Sequence, residues 1–136
     1  MKFAKVVFTM AGILGLLELV PLYFMYNVIG RQDPPPITHP GFYYGFVGTA
    51  LAWQIAFLMI GRDPVRFRPV MIAAVAEKFS YSVAVFVLVA QSRMHGSDLP
   101  FGIQDFTLGI LFLTAFVKTA QPAASLKAIS AAAPDA

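Results

Sequence analysis

Four long apolar stretches, at residues 4–26, 42–61, 69–90 and 101–117, constrain this chain more than any other feature. Each is about long enough to cross a hydrocarbon core of roughly 30 Å as a helix rising about 1.5 Å per residue. The connections between them are short, and charged or rich in proline. This pattern predicts an all-α fold, a bundle of four transmembrane helices. Of the 136 residues, 58% are apolar and 12% charged, against about 25% charged in soluble domains. The transmembrane domain is expected to occupy residues 1–118. A tail over 119–136, rich in Ala, Pro and Ser, lacks the apolar area for a core and is expected to be mobile.

The net charge of +3 does not point to nucleic acid, because the basic residues sit at span ends, where they meet lipid headgroups. Membrane lipids are the expected partners, with a second copy of the chain or another membrane protein also possible. With no Cys, disulfides, thiolate metal sites and cysteine nucleophiles are excluded. His39 and His95 are not paired on one helix, so no metal or other cofactor is assigned. A cleaved signal peptide competes for the first span, since Lys2 and Lys5 precede an apolar run. That run continues through Tyr23, Phe24 and Met25 with no Ala-Xaa-Ala-like site before Gly30, which favours an uncleaved helix.

Basic residues divide unevenly between alternate sides. Lys2, Lys5, Arg62, Arg66, Arg68, Lys118 and Lys127 fall on one side, with only Arg31 and Arg93 in the connections on the other. The positive-inside rule then places both termini in the cytoplasm. The segment Arg62–Pro69 becomes a tight cytoplasmic turn in which Arg62, Arg66 and Arg68 are expected to contact anionic headgroups. Pro64 and Pro69 disfavour continuous helix there. Outside, Asp33-Pro34-Pro35-Pro36 is expected to be extended, and Tyr43 and Tyr44 suit the outer interface.

An ionised side chain at the centre of a membrane helix costs about 2.5–3.5 kcal/mol, so each one needs a partner or water. The groups requiring an account are Glu18, Gln54, Glu77, Lys78, Gln104 and Asp105. Depth sorts them into an outer layer with Glu18 and Asp105 and an inner layer with Gln54 and Glu77. Small-residue stripes give their facing. Ala11, Gly15 and Glu18 share one, as do Ala73, Glu77, Ser80, Ala84 and Gln91, and Gly102, Asp105 and Gly109. Gly41, Gly45 and Gly48 are expected to let the second span pack tightly on a neighbour. Pro21 withholds a hydrogen bond from the carbonyl of Leu17, beside Glu18, and is expected to kink the first span.

Several roles remain open for these groups. Gln54 and Glu77 either form a register-fixing hydrogen bond or serve as a proton relay or ligand contact. Lys78 either snorkels to the cytoplasmic interface or pairs across helices. Glu18 and Asp105 could converge near the outer mouth with His39, Arg93 and His95 from the loops, binding a cation, a polar headgroup or a quinone-type carbonyl. The alternative for Asp105 is stabilisation by the helix N-terminus. The ligand or proton-relay candidates are therefore Glu18, Asp105, Gln54, Glu77 and His39, and no catalytic residue is assigned.

A first helix with Glu18 followed by Pro21, the glycine-rich Tyr44-Gly45-Phe46-Val47-Gly48 and the Arg/Pro-rich turn 62–69 resemble the small bacterial membrane proteins of the DoxX-like group. The resemblance implies a four-helix inner-membrane protein with respiratory or thiol-redox partners. Without cysteine, it implies a partner role and no thiol chemistry of this chain's own. A non-enzymatic accessory or subunit is thus expected. A small transporter or channel using intramembrane carboxylates is the first alternative, and an intramembrane lipid or isoprenoid enzyme the second.

Overall fold

The computed structural model describes residues 1–32 and 36–120, and the described residues are helical with no strand. Five helices follow one another: α1 (Lys2–Leu19), α2 (Leu22–Gln32), α3 (Pro40–Arg62), α4 (Val70–Ala90) and α5 (Leu99–Lys118). Apolar runs of this length adopt helix because it satisfies every backbone polar group internally. Prolines mark the starts. Pro40 opens α3, Pro69 immediately precedes α4 and Pro100 lies in the first turn of α5, where an absent N–H costs nothing. α3, α4 and the segment Gly96–Lys118 are each long and apolar enough to cross a membrane, and α1 with α2 makes a fourth if the pair counts as one span.

The first span is broken, which corrects the expectation of a single helix over 4–26. α1 stops at Leu19 and α2 departs at 61°. Pro21 has no N–H to continue the ladder, so the chain turns at Val20–Pro21. Tyrosines from the neighbouring segment hold the new direction. The Tyr43 hydroxyl donates to the Leu22 carbonyl at 2.8 Å, and Tyr26 donates to the Ile37 carbonyl at 2.7 Å. The rings of Tyr23, Tyr26, Tyr43 and Tyr44 pack into one aromatic cluster at this end.

Two antiparallel pairs build the bundle. α1 packs along α3 and α4 along α5, α1 and α5 join the pairs, and α3 and α4 scarcely touch although they are consecutive. Close approach rests on glycine. A Cβ on Gly12 would meet Leu58 at 2.8 Å, and one on Gly102 would meet Val85 at 2.8 Å. Gly61 lies directly against Thr9. Of the glycines expected to thin the second span, Gly41 and Gly45 face open space, and only Gly48 meets a neighbour, the Tyr23 hydroxyl at 3.2 Å.

The core fills the half of the bundle nearer the basic turn. Phe8 stacks on Phe112 with centroids 4.1 Å apart, and Phe57 meets Phe112 edge-on at 4.9 Å. Ala4, Ile60, Met71, Ala74 and Ala115 close around the three rings. Lys118 lies 4.5 Å over the Phe3 ring, and Arg68 lies 3.8 Å over Phe116 while donating to its carbonyl at 3.3 Å. Arg68 thereby ties the α3–α4 turn to the end of α5. The antiparallel order gathers Lys2, Lys5, Arg62, Arg66, Arg68 and Lys118 at this end, with Arg31 and Arg93 at the other. Lys127 and the rest of the tail from residue 121 lie outside the described residues, as does most of the Asp33–Pro36 segment. Thr119 is buried and bonded to the Ala115 carbonyl at 2.9 Å, so the bundle extends past the expected limit at 118.

Candidate functional site

Above the phenylalanine core the helices part around a cavity of about 590 Å³. Its wall includes Glu18, Gln54, Glu77, Lys78, Gln104 and Asp105, which are all six of the in-span polar groups, together with Tyr81. Ala11, Leu14, Phe46 and Leu108 supply apolar lining. The floor is the next turn down, because Phe8, Phe57 and Phe112 lie three or four residues below Ala11, Gln54 and Leu108 on their helices. At the far end, Leu22, Ile29 and Gln32 of α2 face Ser97, Asp98 and Phe101 across the mouth. The bend at Pro21 is what carries α2 over that mouth.

Lys78 is the centre of the site. Its ammonium donates to both carboxylate oxygens of Asp105, at 3.0 and 3.1 Å, and lies 3.4 Å from Glu77 Oε2. The Phe57 ring lies 5.4 Å beneath it. The side chains of Lys78 and Asp105 are only 8% and 14% exposed, so the pair is largely shut off from its surroundings. A buried ion pair of this kind is costly to desolvate and specifies geometry more than it adds stability. Lys78 therefore pairs across helices, one of the two outcomes the sequence left open, and does not snorkel.

The remaining partners differ from the expected layers. Gln104 donates through Nε2 to both oxygens of Glu18, at 3.0 and 2.9 Å. Glu18 and Asp105 line one cavity but bond to different groups. Gln54 does not bond to Glu77. Its amide donates to the Ala50 carbonyl of its own helix at 2.9 Å and packs over Gly15, whose missing side chain makes room for it. Glu77 Oε2 is buried and has no hydrogen-bonding partner among the described residues. Outer and inner layers are thus a single site, bridged by Lys78 reaching from α4 to α5.

The facing of α4 is also corrected. Its buried stripe is Met71, Ala74, Lys78, Ser82 and Val85, whereas Ala73, Ser80, Ala84 and Gln91 are exposed. Choosing small residues as the interface rotated the helix by one position. The interface needed Lys78 opposite Asp105, with Gly102 and Gly109 on α5 receiving Val85 and Phe79. Glu77 consequently stands at the edge of α4, beside the gap toward α3. Tyr81 escaped the sequence reading, although its spacing of four from Glu77 puts both on one helix face.

His39 does not join the site. It precedes α3, is exposed, and meets Phe42 edge-on with centroids 5.8 Å apart. Arg62 and Arg66 are exposed at the basic end, and the Arg66 guanidinium lies 5.5 Å from the Phe67 ring. Among the described residues no group of three or more His, Asp or Glu side chains is arranged to hold a metal. Comparison of the chain with protein-family models, with curated proteins and with solved structures returns no match.

Proposed function

We propose that this is a small polytopic protein of the bacterial inner membrane, a non-enzymatic accessory or subunit that binds a lipid-like molecule inside its bundle. The observation that carries the reading is the cavity, which combines buried charge with apolar walls in a space of about 590 Å³. Small-molecule sites typically measure roughly 300–1,000 Å³ and have this mixture of apolar lining and few convergent polar groups. The collection of basic residues at the closed end supports cytoplasmic termini and a cavity mouth on the opposite face. The DoxX-like resemblance adds a respiratory partner as the setting for such an accessory.

The two alternatives have less support. A conducting pathway needs continuity, and the stacked Phe8, Phe57 and Phe112 separate the cavity from the basic end. An enzyme needs an acid or base free to exchange a proton with substrate. Asp105 is held by Lys78 and Glu18 by Gln104, which leaves Glu77 as the acid or base that reading would require. Purification in mild detergent followed by native mass analysis tests the proposal. The expected result is a particle that carries a lipid-like mass or a protein partner. A strictly monomeric particle with nothing bound would count against it.

A further inference from the structure

We propose that the molecule bound in this cavity is an amphiphile with a protonated amine head, and that it enters sideways between α3 and α4. This inference rests on the binding role above and adds the ligand class and the route. The route follows from the packing. A slot of about 280 Å³ lies between α3 and α4, flanked by Thr49, Trp53 and Ser80. It shares Phe46, Ala50, Glu77 and Tyr81 with the main cavity, so these side chains form the wall between the two spaces. α3 and α4 scarcely touch elsewhere, and the rings of Phe46 and Tyr81 face each other across the gap with centroids 6.4 Å apart. In a bilayer such a slot opens onto the acyl chains, where an amphiphile can leave its tail while its head passes Glu77.

The head group follows from the balance of charge in the lining. Lys78 is the one cationic side chain in the described lining, and its ammonium is taken by Asp105 and Glu77. The Gln104 amide is taken by Glu18, and that of Gln54 by the Ala50 carbonyl. Tyr81, Ser97 and Gln32 add neutral donors to the lining, and Glu18, Glu77 and Asp105 add carboxyl groups. Asp98 at the mouth makes interactions of its own and is left out of the balance. Glu18, Glu77 and Asp105 have one ammonium among them, shared by Asp105 and Glu77, so carboxyls outnumber cations in the lining. A buried carboxylate is stable only when paired, and an alkylammonium supplies both the charge and three N–H donors. Phe46, Trp53 and Tyr81 offer aromatic faces to a cation at the threshold. An anionic head would add negative charge to a lining in which carboxyls already outnumber cations.

Trp53 is the only tryptophan of the chain and borders the slot, so its emission can follow binding. The protein in phosphatidylcholine nanodiscs is titrated with dodecylamine, dodecanol or dodecanoate. Saturable binding of dodecylamine at least about tenfold tighter than dodecanol is expected, since a charge-assisted bond is about twice as strong as a neutral one. Glu77→Gln or Glu18→Gln, each checked for a monodisperse fold, should reduce that preference by weakening dodecylamine binding more than dodecanol binding. Ser80→Phe should slow dodecylamine association by narrowing the slot. Equal binding of all three compounds, or an unchanged preference in both glutamine variants, would overturn the ligand class and leave the binding role standing. Unchanged association in Ser80→Phe would overturn the route. If none of the three compounds saturates, the inference and the proposed function are overturned together.

Discussion

Below Gln54 and Lys78 the bundle closes on three interlocked phenylalanines, whereas above them the same helices separate around a charged cavity. Both halves contain glycines and aromatic residues, so composition alone does not distinguish them. The difference lies in what stands opposite each small residue. Gly61 receives Thr9 and Gly12 receives Leu58, and there the backbones close up. Gly41 and Gly45 have no neighbour within 4 Å, and α3 stands largely clear of α4. A small residue permits close packing and does not compel it. The aromatic residues follow the same rule. Phe8, Phe57 and Phe112 fill the closed half, while Phe46 and Tyr81 edge an opening.

The sharpest way to break this contrast is to remove the plug. Phe112→Ala should cost about 3–5 kcal/mol, the usual range for truncating a buried Phe. It should also connect the cavity with the basic end. Unfolding in mixed micelles measures the first effect and proton flux into proteoliposomes the second. Wild-type stability in the variant would show that the aromatic stack does not hold the closed half together.

Next in size is the ion pair at the boundary. Lys78→Met leaves Asp105 buried without its cation and should destabilise the protein by about 3 kcal/mol. Adding Asp105→Asn should recover most of that loss, because the uncompensated charge is gone. A double-mutant cycle with no coupling would separate the two residues energetically, contrary to their 3.0 Å contact.

A smaller effect compares glycines from the two halves. Gly61→Ala drives a methyl group into Thr9 and should cost about 1–3 kcal/mol through overpacking. Gly45→Ala, in open space, should be neutral or stabilising by up to about 1 kcal/mol through helix propensity. Equal costs at the two positions would erase the distinction. The mildest test uses the absence of native cysteine. Gln104→Cys should react with a water-soluble maleimide added from the mouth side, and Met71→Cys in the closed half should not.

Much of the fold was legible because it depends on properties that add along the chain. The lengths of the three unbroken spans agree with α3, α4 and α5 to within two residues at each end. The break at Pro21 was anticipated as a kink, but its 61° angle depends on tyrosines of α3 reaching back to α2. The site was legible as a set of residues and not as a set of bonds. Glu18, Gln54, Glu77 and Asp105 were named, and all line the cavity. Their partners were mismatched, since Gln104 takes Glu18 and Lys78 takes Asp105. His39 was included on loop proximity alone and lies outside.

Sequence by itself determined that apolar helices would form, where they would begin, and that the basic residues would gather at one end. Hydrophobic length, proline placement and charge count are local quantities, readable without knowing any neighbour. Only the tertiary structure decided that Lys78 faces α5 with Glu77 beside it at the cavity edge, and that α3 and α4 stay apart. Helix rotation and spacing are settled by all contacting side chains at once. One buried ammonium opposite one carboxylate outweighed a stripe of small residues that the sequence alone made look like the interface.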